Sequence, residues 1–294
     1  MSYSFLDRVH DTISVTRVLS SSSITASGDD VLRDAVAAVS TTYLNVKTRH
    51  QINMAAGSYA EIQIKHASLD YIDIVGAGIG QTLIVSDGLR EDIDPVSETA
   101  YSEMAQDDKY GIWGGYNLNL SGVTWTVNDV KYCNHAASFA VNKSPVITSC
   151  RFVHSNGYPI GAGLAAAGIS LTISACELVK SGNNSALGNV GSHGIYCHNG
   201  NAVASPVSLT VSNCSFENCG TVIIAELGSG QTDPYIVTNC VTDDTGTSKG
   251  IYIGASSDAL AYSIEITQKG GTMPAFSFDV TNRPDAAAHY TLVP

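Results

Sequence analysis

The chain has 294 residues, of which only 14% are charged, and its net charge is −12. That balance argues against nucleic-acid binding through a basic surface. No run of 18 apolar residues is present to span a membrane, and with Asp7 and Arg8 early and no apolar stretch at the start, no secretory signal peptide is expected.

Residues 1–27 are polar and β-branched, with a low-complexity run from Ser20 to Ser23, and are expected to lie outside the repeat that dominates the rest. Asp7-Arg8-Val9 followed by Thr12, Ser14 and Thr16 resembles the opening of many short phage virion proteins. Arg17-Val18-Leu19 stands where those proteins continue with Gly-Thr-Gly. The resemblance implies that 1–27 is an attachment segment to other virion proteins, in a particle assembled in the host cytoplasm.

Residues 28–41 are predicted to hold an amphipathic helix. Val31, Leu32, Ala35, Val36 and Val39 make an apolar stripe, Ser27 or Asp29 is placed to cap it, and Asp29 and Asp30 suit its positive end. A solenoid exposes an apolar end at its first coil, and such a helix is suited to cover it.

Residues 42–294 are assigned to the solenoid. It opens with Ile52 to Ile64, containing Gly57-Ser58-Tyr59-Ala60-Glu61, and Ile72 to Ile84, containing Gly76-Ala77-Gly78 and Thr82-Leu83-Ile84. The pair looks like the first coils of pectin methylesterases. The glycines suit coil corners. Gly76-Ala77-Gly78 lacks the third glycine and the following helix of a dinucleotide motif.

Residues 87–109 break the pattern. Asp87, Glu91, Asp92, Asp94, Glu98, Glu103, Asp107 and Asp108 stand against only Arg90 and Lys109, which predicts a solvated acidic insertion. Carboxylates suit Ca²⁺, but the spacing matches no calcium loop, so neither a metal site nor a cofactor is assigned. Aromatic residues follow. Tyr110, Trp113 and Tyr116, with Gly114-Gly115 between the last two, are candidate carbohydrate-binding residues, because aromatic faces pack on sugar rings whose edges hydrogen-bond. Packing of the insertion on the coil is the competing role for them.

Next comes a phrase of a β-branched residue, Ser or Thr, any residue, and Cys. It reads Ile147-Thr148-Ser149-Cys150, Ile173-Ser174-Ala175-Cys176, Val211-Ser212-Asn213-Cys214 and Val237-Thr238-Asn239-Cys240. Phe152, Leu178 and Phe216 stand two residues after the first three cysteines. Leu118 to Trp125 fits with Val123 in the Cys position and Trp125 in the Phe position, and Ser263 to Thr267 fits at the far end. A phrase at such intervals signals a repeat fold. Leu171 and Ile173 alternate with polar residues as in a strand with one buried face, and the cysteines are expected to point inward as reduced thiols. A second apolar strand follows in Gly194-Ile195-Tyr196-Cys197 and Gly250-Ile251-Tyr252-Ile253.

Across residues 50–270 this pattern resembles the right-handed parallel β-helix family, the fold of pectin lyases and phage tailspikes. The expected fold is therefore all-β, a right-handed parallel β-helix with an N-terminal cap helix. The resemblance implies a spike or fibre protein of a phage or phage-like particle that binds host-surface carbohydrate, and a homotrimer.

A polysaccharide-degrading enzyme of the same fold, or a structural decoration protein, is the alternative. Glycoside hydrolysis needs two carboxyl groups flanking the bond. Asp107 and Asp108 are the catalytic candidates beside the insertion, and Glu177, Glu217, Glu226, Asp243 and Asp244 are further carboxylates that the sequence does not pair. The Asp-Phe-Ile-Phe-Gly segment of methylesterases is absent, and no Lys/Arg cluster suits lyase chemistry. His193 and His198, five residues apart, would face opposite sides of a strand.

Overall fold

The structure, a computed structural model, describes residues 17–40, 42–45, 47–60, 64–65, 70–86, 112–113, 117–127, 135–139, 144–154, 158–163, 169–180, 193–198, 207–217, 221–227, 235–242, 249–255 and 266–267. These form three parallel sheets. Sheet A stacks β1 (Arg17–Ile24), β3 (Thr48–Met54), β6 (Ile72–Val75), β9 (Asn119–Ser121), β12 (Val146–Thr148), β15 (Ile169–Ser174), β18 (Val207–Ser212), β21 (Tyr235–Thr238) and β24 (Ile266–Thr267). Sheet B stacks β2 (Gly28–Asp29), β4 (Gly57–Ala60), β7 (Thr82–Ser86), β10 (Thr124–Val127), β13 (Arg151–His154), β16 (Glu177–Lys180), β19 (Ser215–Glu217) and β22 (Val241–Thr242). Sheet C stacks β5 (Ile64–Lys65), β8 (Ile112–Trp113), β11 (His135–Phe139), β14 (Tyr158–Gly163), β17 (His193–His198), β20 (Thr221–Leu227) and β23 (Lys249–Ala255). After a first coil in which the helix α1 (Val31–Ala37) follows the strands of A and B, the chain visits A, B and C in turn, and each strand inside a sheet pairs with its equivalents in the coils before and after. This is the all-β parallel β-helix that the repeat implies.

The recurring phrase is not one strand but two, meeting at a corner. Strict alternation from Leu171 and Ile173 would put Ala175 inside and Cys176 outside. Instead Ser149, Ala175, Asn213 and Asn239 each adopt φ between 51° and 57°, and Gly122 takes φ 67° at the equivalent place. A single left-handed residue turns the chain and reverses its parity, so both Ile173 and Cys176 are buried. The ladder of hydrogen bonds runs through the corner: Ala175 N donates to Ser212 O at 2.9 Å, and Glu177 N donates to Cys150 O at 2.8 Å. Asn239 Nδ2 also donates to Asn213 Oδ1 at 3.0 Å, the side-chain stacking that Asn at such a corner allows.

The core is a set of aligned columns. Trp125, Phe152, Leu178 and Phe216 are in register on sheet B and are essentially inaccessible to solvent. Leu120, Ile147, Ile173 and Val211 do the same on sheet A. Burial of each such side chain contributes roughly 1.5–3 kcal/mol, before the entropy of ordering is set against it. Cys150, Cys176, Cys214 and Cys240 are free and buried. Val123 is buried too and continues the column, its carbonyl accepting from Arg151 N at 2.9 Å. The Trp125 indole N–H has no hydrogen-bond partner, the one such buried side-chain atom among the described residues. At the far end Ile266 pairs with Tyr235, two residues earlier than the phrase implies, an even shift that keeps the same face buried.

The first coil corrects two expectations. Arg17–Ile24, assigned above to an attachment segment, is the first strand of sheet A and pairs in parallel with Thr48–Met54. The coil therefore begins before residue 27, and what remains of that segment, 1–16, lies outside the described residues. The cap helix, α1 (Val31–Ala37), buries Leu32 and Val36 against the core, with Val31, Ala35 and Val39 packed beside them. Its N-cap is neither Ser27 nor Asp29 but Asp30, at φ 55° and without a side-chain cap bond. Asp30 is turned to Arg33 instead, at 2.9 Å, while Ser27 Oγ accepts from Ser58 N at 3.2 Å.

The same end is braced by polar groups. Arg49, only 6% exposed, bonds Asp73 at 2.5 Å and the carbonyls of Ile72 (3.1 Å) and Asn117, and Asn119 Nδ2 donates to the same Asp73 Oδ1 at 2.8 Å. This ties three coils together. A Cβ on Gly76 would fall 2.3 Å from Gly122 O, so only glycine lets these two corners approach.

Candidate carbohydrate-binding face

Sheet C is where the structure places the one candidate aromatic it describes. Its strands share an apolar column of Ile64, Ile112, Ala137, Ile160, Ile195, Ile223 and Ile251, in which Ile160 and Ile195 are fully buried. The next residue in each strand makes a second register column, which reads Lys65, Trp113, Ser138, Gly161, Tyr196, Ile224 and Tyr252. Two residues further on, His198 and Glu226 are at the same register position.

Trp113 thus lies in β8, at the register position of Lys65 and Ser138. In chain order β7 of sheet B is followed by β8 of sheet C. Tyr110, Tyr116, Asp107, Asp108 and the expected insertion 87–109 lie outside the described residues, as do Asp243 and Asp244. Tyr196 and Tyr252, which in sequence stand within apolar strands, share the register position of Trp113. A signal was available in Gly111-Ile112-Trp113, Gly194-Ile195-Tyr196 and Gly250-Ile251-Tyr252, the same three-residue pattern in three coils.

The remaining candidates are dispersed. Glu177 faces Arg151 at 3.4 Å on the outside of sheet B, both about two-fifths exposed, a surface pair of small energetic consequence. Glu217 is exposed on the neighbouring strand, opposite Val179 rather than Glu177. Glu226 lies on sheet C, so these three carboxylates are not gathered at one position. His193 and His198 are the first and last residues of β17. Among the described residues no cluster of three or more His, Cys, Asp or Glu could hold a metal ion. No helix among them is long and apolar enough to cross a membrane.

No family model matches the sequence. No curated protein matches it. Among solved structures, a pectin methylesterase from carrot is similar at 12% identity and a TM-score of 0.47, covering 92% of this chain and 88% of that one. ORF18 of Geobacillus virus E2 is similar at 14% identity and a TM-score of 0.43, covering 83% of this chain and 46% of that one.

Proposed function

We propose that this chain is a spike- or fibre-type component of a phage or phage-like particle, and that the outer face of sheet C binds carbohydrate of the host surface. The observation that carries the binding half is the alignment of Trp113, Tyr196 and Tyr252 in one register column of sheet C. Aromatic rings on a rigid sheet offer flat apolar area at little entropic cost, which suits the C–H faces of sugar rings. A parallel β-helix suits projection, because each coil contacts only its neighbours and the stack can extend without changing its cross-section. The attachment half rests on the Asp7-Arg8-Val9 resemblance, which the structure leaves in the segment before β1. Homotrimer formation about a particle axis belongs to the same reading.

The test is incubation of the full chain with host-surface polysaccharide, scored for retention and for product. Retention without new reducing ends or unsaturated sugars supports an adhesin. Product formation moves the reading to a depolymerase of the same fold. Neither retention nor product returns the chain to a structural decoration.

A further inference from the structure

Sheet A presents a face of a different kind. Its consecutive strands β9, β12, β15, β18 and β21 contain no Asp, Glu, Lys, Arg or His. In the same coils the strands of sheet B carry Arg151, Glu177, Lys180 and Glu217, and those of sheet C carry Glu226 and Lys249. Leu120, Ile147, Ile173, Val211 and Val237 are buried in the core, so their neighbours on either side point out. The register sets these outward residues in two columns, Asn119, Val146, Thr172, Thr210 and Ile236 beside Ser121, Thr148, Ser174, Ser212 and Thr238. All ten reach solvent, and Val146, at 36%, is one of the large apolar residues exposed among those described.

An uncharged face stands out on a chain with 27 Asp and Glu against 15 Lys and Arg, because soluble surfaces ordinarily intersperse charges of both signs. At a net charge of −12, copies of the chain repel one another wherever their acidic groups meet. Across sheet A two copies can touch without bringing charges together, and depletion of charge marks the centre of a protein interface. Six of the ten outward residues are Val, Ile or Thr, whose β-branching restricts χ1, so little side-chain freedom is lost on contact. Ser174 Oγ donates to Thr148 Oγ1 at 3.2 Å, which meets part of the hydrogen bonding of the face without water. Resting on the reading of a particle-bound oligomer above, we infer that copies of this chain stand side by side with the outer face of sheet A turned to the axis they share. Two columns over four strand spacings, roughly 19 Å, make a patch smaller than the roughly 800 Å² per partner of a standard interface. Association in solution is therefore weak and rises with concentration.

The experiment is sedimentation velocity of the intact chain from micromolar to submillimolar concentration, with light scattering to give the mass of the largest species. Thr172→Glu and Thr210→Glu place carboxylates where the copies meet. Thr126→Glu makes the same change of charge on the outer face of sheet B, where Thr126 follows the buried Trp125 and pairs with Val153. The expected result is a reversible oligomer that Thr172→Glu and Thr210→Glu each weaken about tenfold or more and that Thr126→Glu leaves in place. High salt should restore part of the loss in the two sheet A variants. Thr210→Val, which keeps the branched shape and adds no charge, should associate like the wild type. An oligomer that both sheet A variants leave unchanged overturns the assigned face and leaves the oligomer reading standing. A monomer at every concentration overturns this inference together with that reading. A dimer that the same variants dissociate supports the face and replaces the trimer. The variants are compared at matched folding, checked by a cooperative thermal transition at the wild-type temperature.

Discussion

Cys176 and Cys214 occupy the same position in successive coils. Each thiol lies against the carbonyl two residues before it, Ser174 O for Cys176 and Ser212 O for Cys214, both at 3.2 Å. Each is also 3.9 Å from a carbonyl of the coil before, Ile147 O and Ile173 O respectively. The column is a line of buried thiols stacked one above another, not a disulfide framework. The neighbouring thiol, with burial behind it, pushes Cys176 and Cys214 up to about 12 and raises Cys240 as well.

That arrangement has a pH signature. The folded-state pKa of Cys176 is above its ordinary value of 9.0, so the folded state favours the protonated thiol. The contribution is fully present below pH 9 and is lost as the pH rises towards 12. Denaturant titrations should show stability falling across that window, and Cys176→Ala should flatten the slope. Thiol reagents should leave all four cysteines untouched in the native protein and label them on unfolding. Fast native labelling of the column would mean that the cysteines do not face inward.

Ala175 offers a gain of stability. It sits at φ 51° in a line that is otherwise Gly, Ser, Asn and Asn. The left-handed region costs an ordinary residue about 1–2 kcal/mol, and Asn tolerates it better. Ala175→Asn should raise the unfolding free energy by about 1 kcal/mol and extend the Asn213–Asn239 ladder by a coil. A denaturant midpoint that falls would contradict the corner geometry.

Truncation separates the coil from what precedes it. Removing 1–16 should leave the thermal transition in place, because Arg17 is the first paired residue among those described. Removing 1–27 should lower it by many degrees, because β1 pairs with β3 from Arg17 to Ile24, and Ser22 Oγ meets the buried His50 Nε2 at 3.1 Å. If attachment lies in 1–16, the shorter deletion alone should abolish incorporation into a particle. Equal stability of the two truncations would place the start of the coil at β3.

Much of the fold was legible because the core repeats chemically distinctive residues. A buried Cys recurring with Phe or Leu two places later leaves few alternatives to a stacked coil. The corner was not legible at Ala175, since alanine carries no sign of a left-handed conformation, and its equivalents vary from Ser to Asn. The first strand was hidden by Ser20 to Ser23, which read as a linker. Its serines are tolerated because this end coil is closed by α1 and by polar bonds such as that of His50. Trp113 stood out in the sequence as an aromatic beside an acidic stretch. Tyr196 and Tyr252 did not, because their partnership lies across coils: Trp113 and Tyr196 are 83 residues apart in the chain and meet only through the register of sheet C.

The most direct test of the central claim is a structure of the chain bound to an oligosaccharide that it retains. The account predicts sugar rings lying over Trp113 and continuing along sheet C towards Tyr196 and Tyr252. Sugar bound on the outer face of sheet A or sheet B, with sheet C bare, would contradict it.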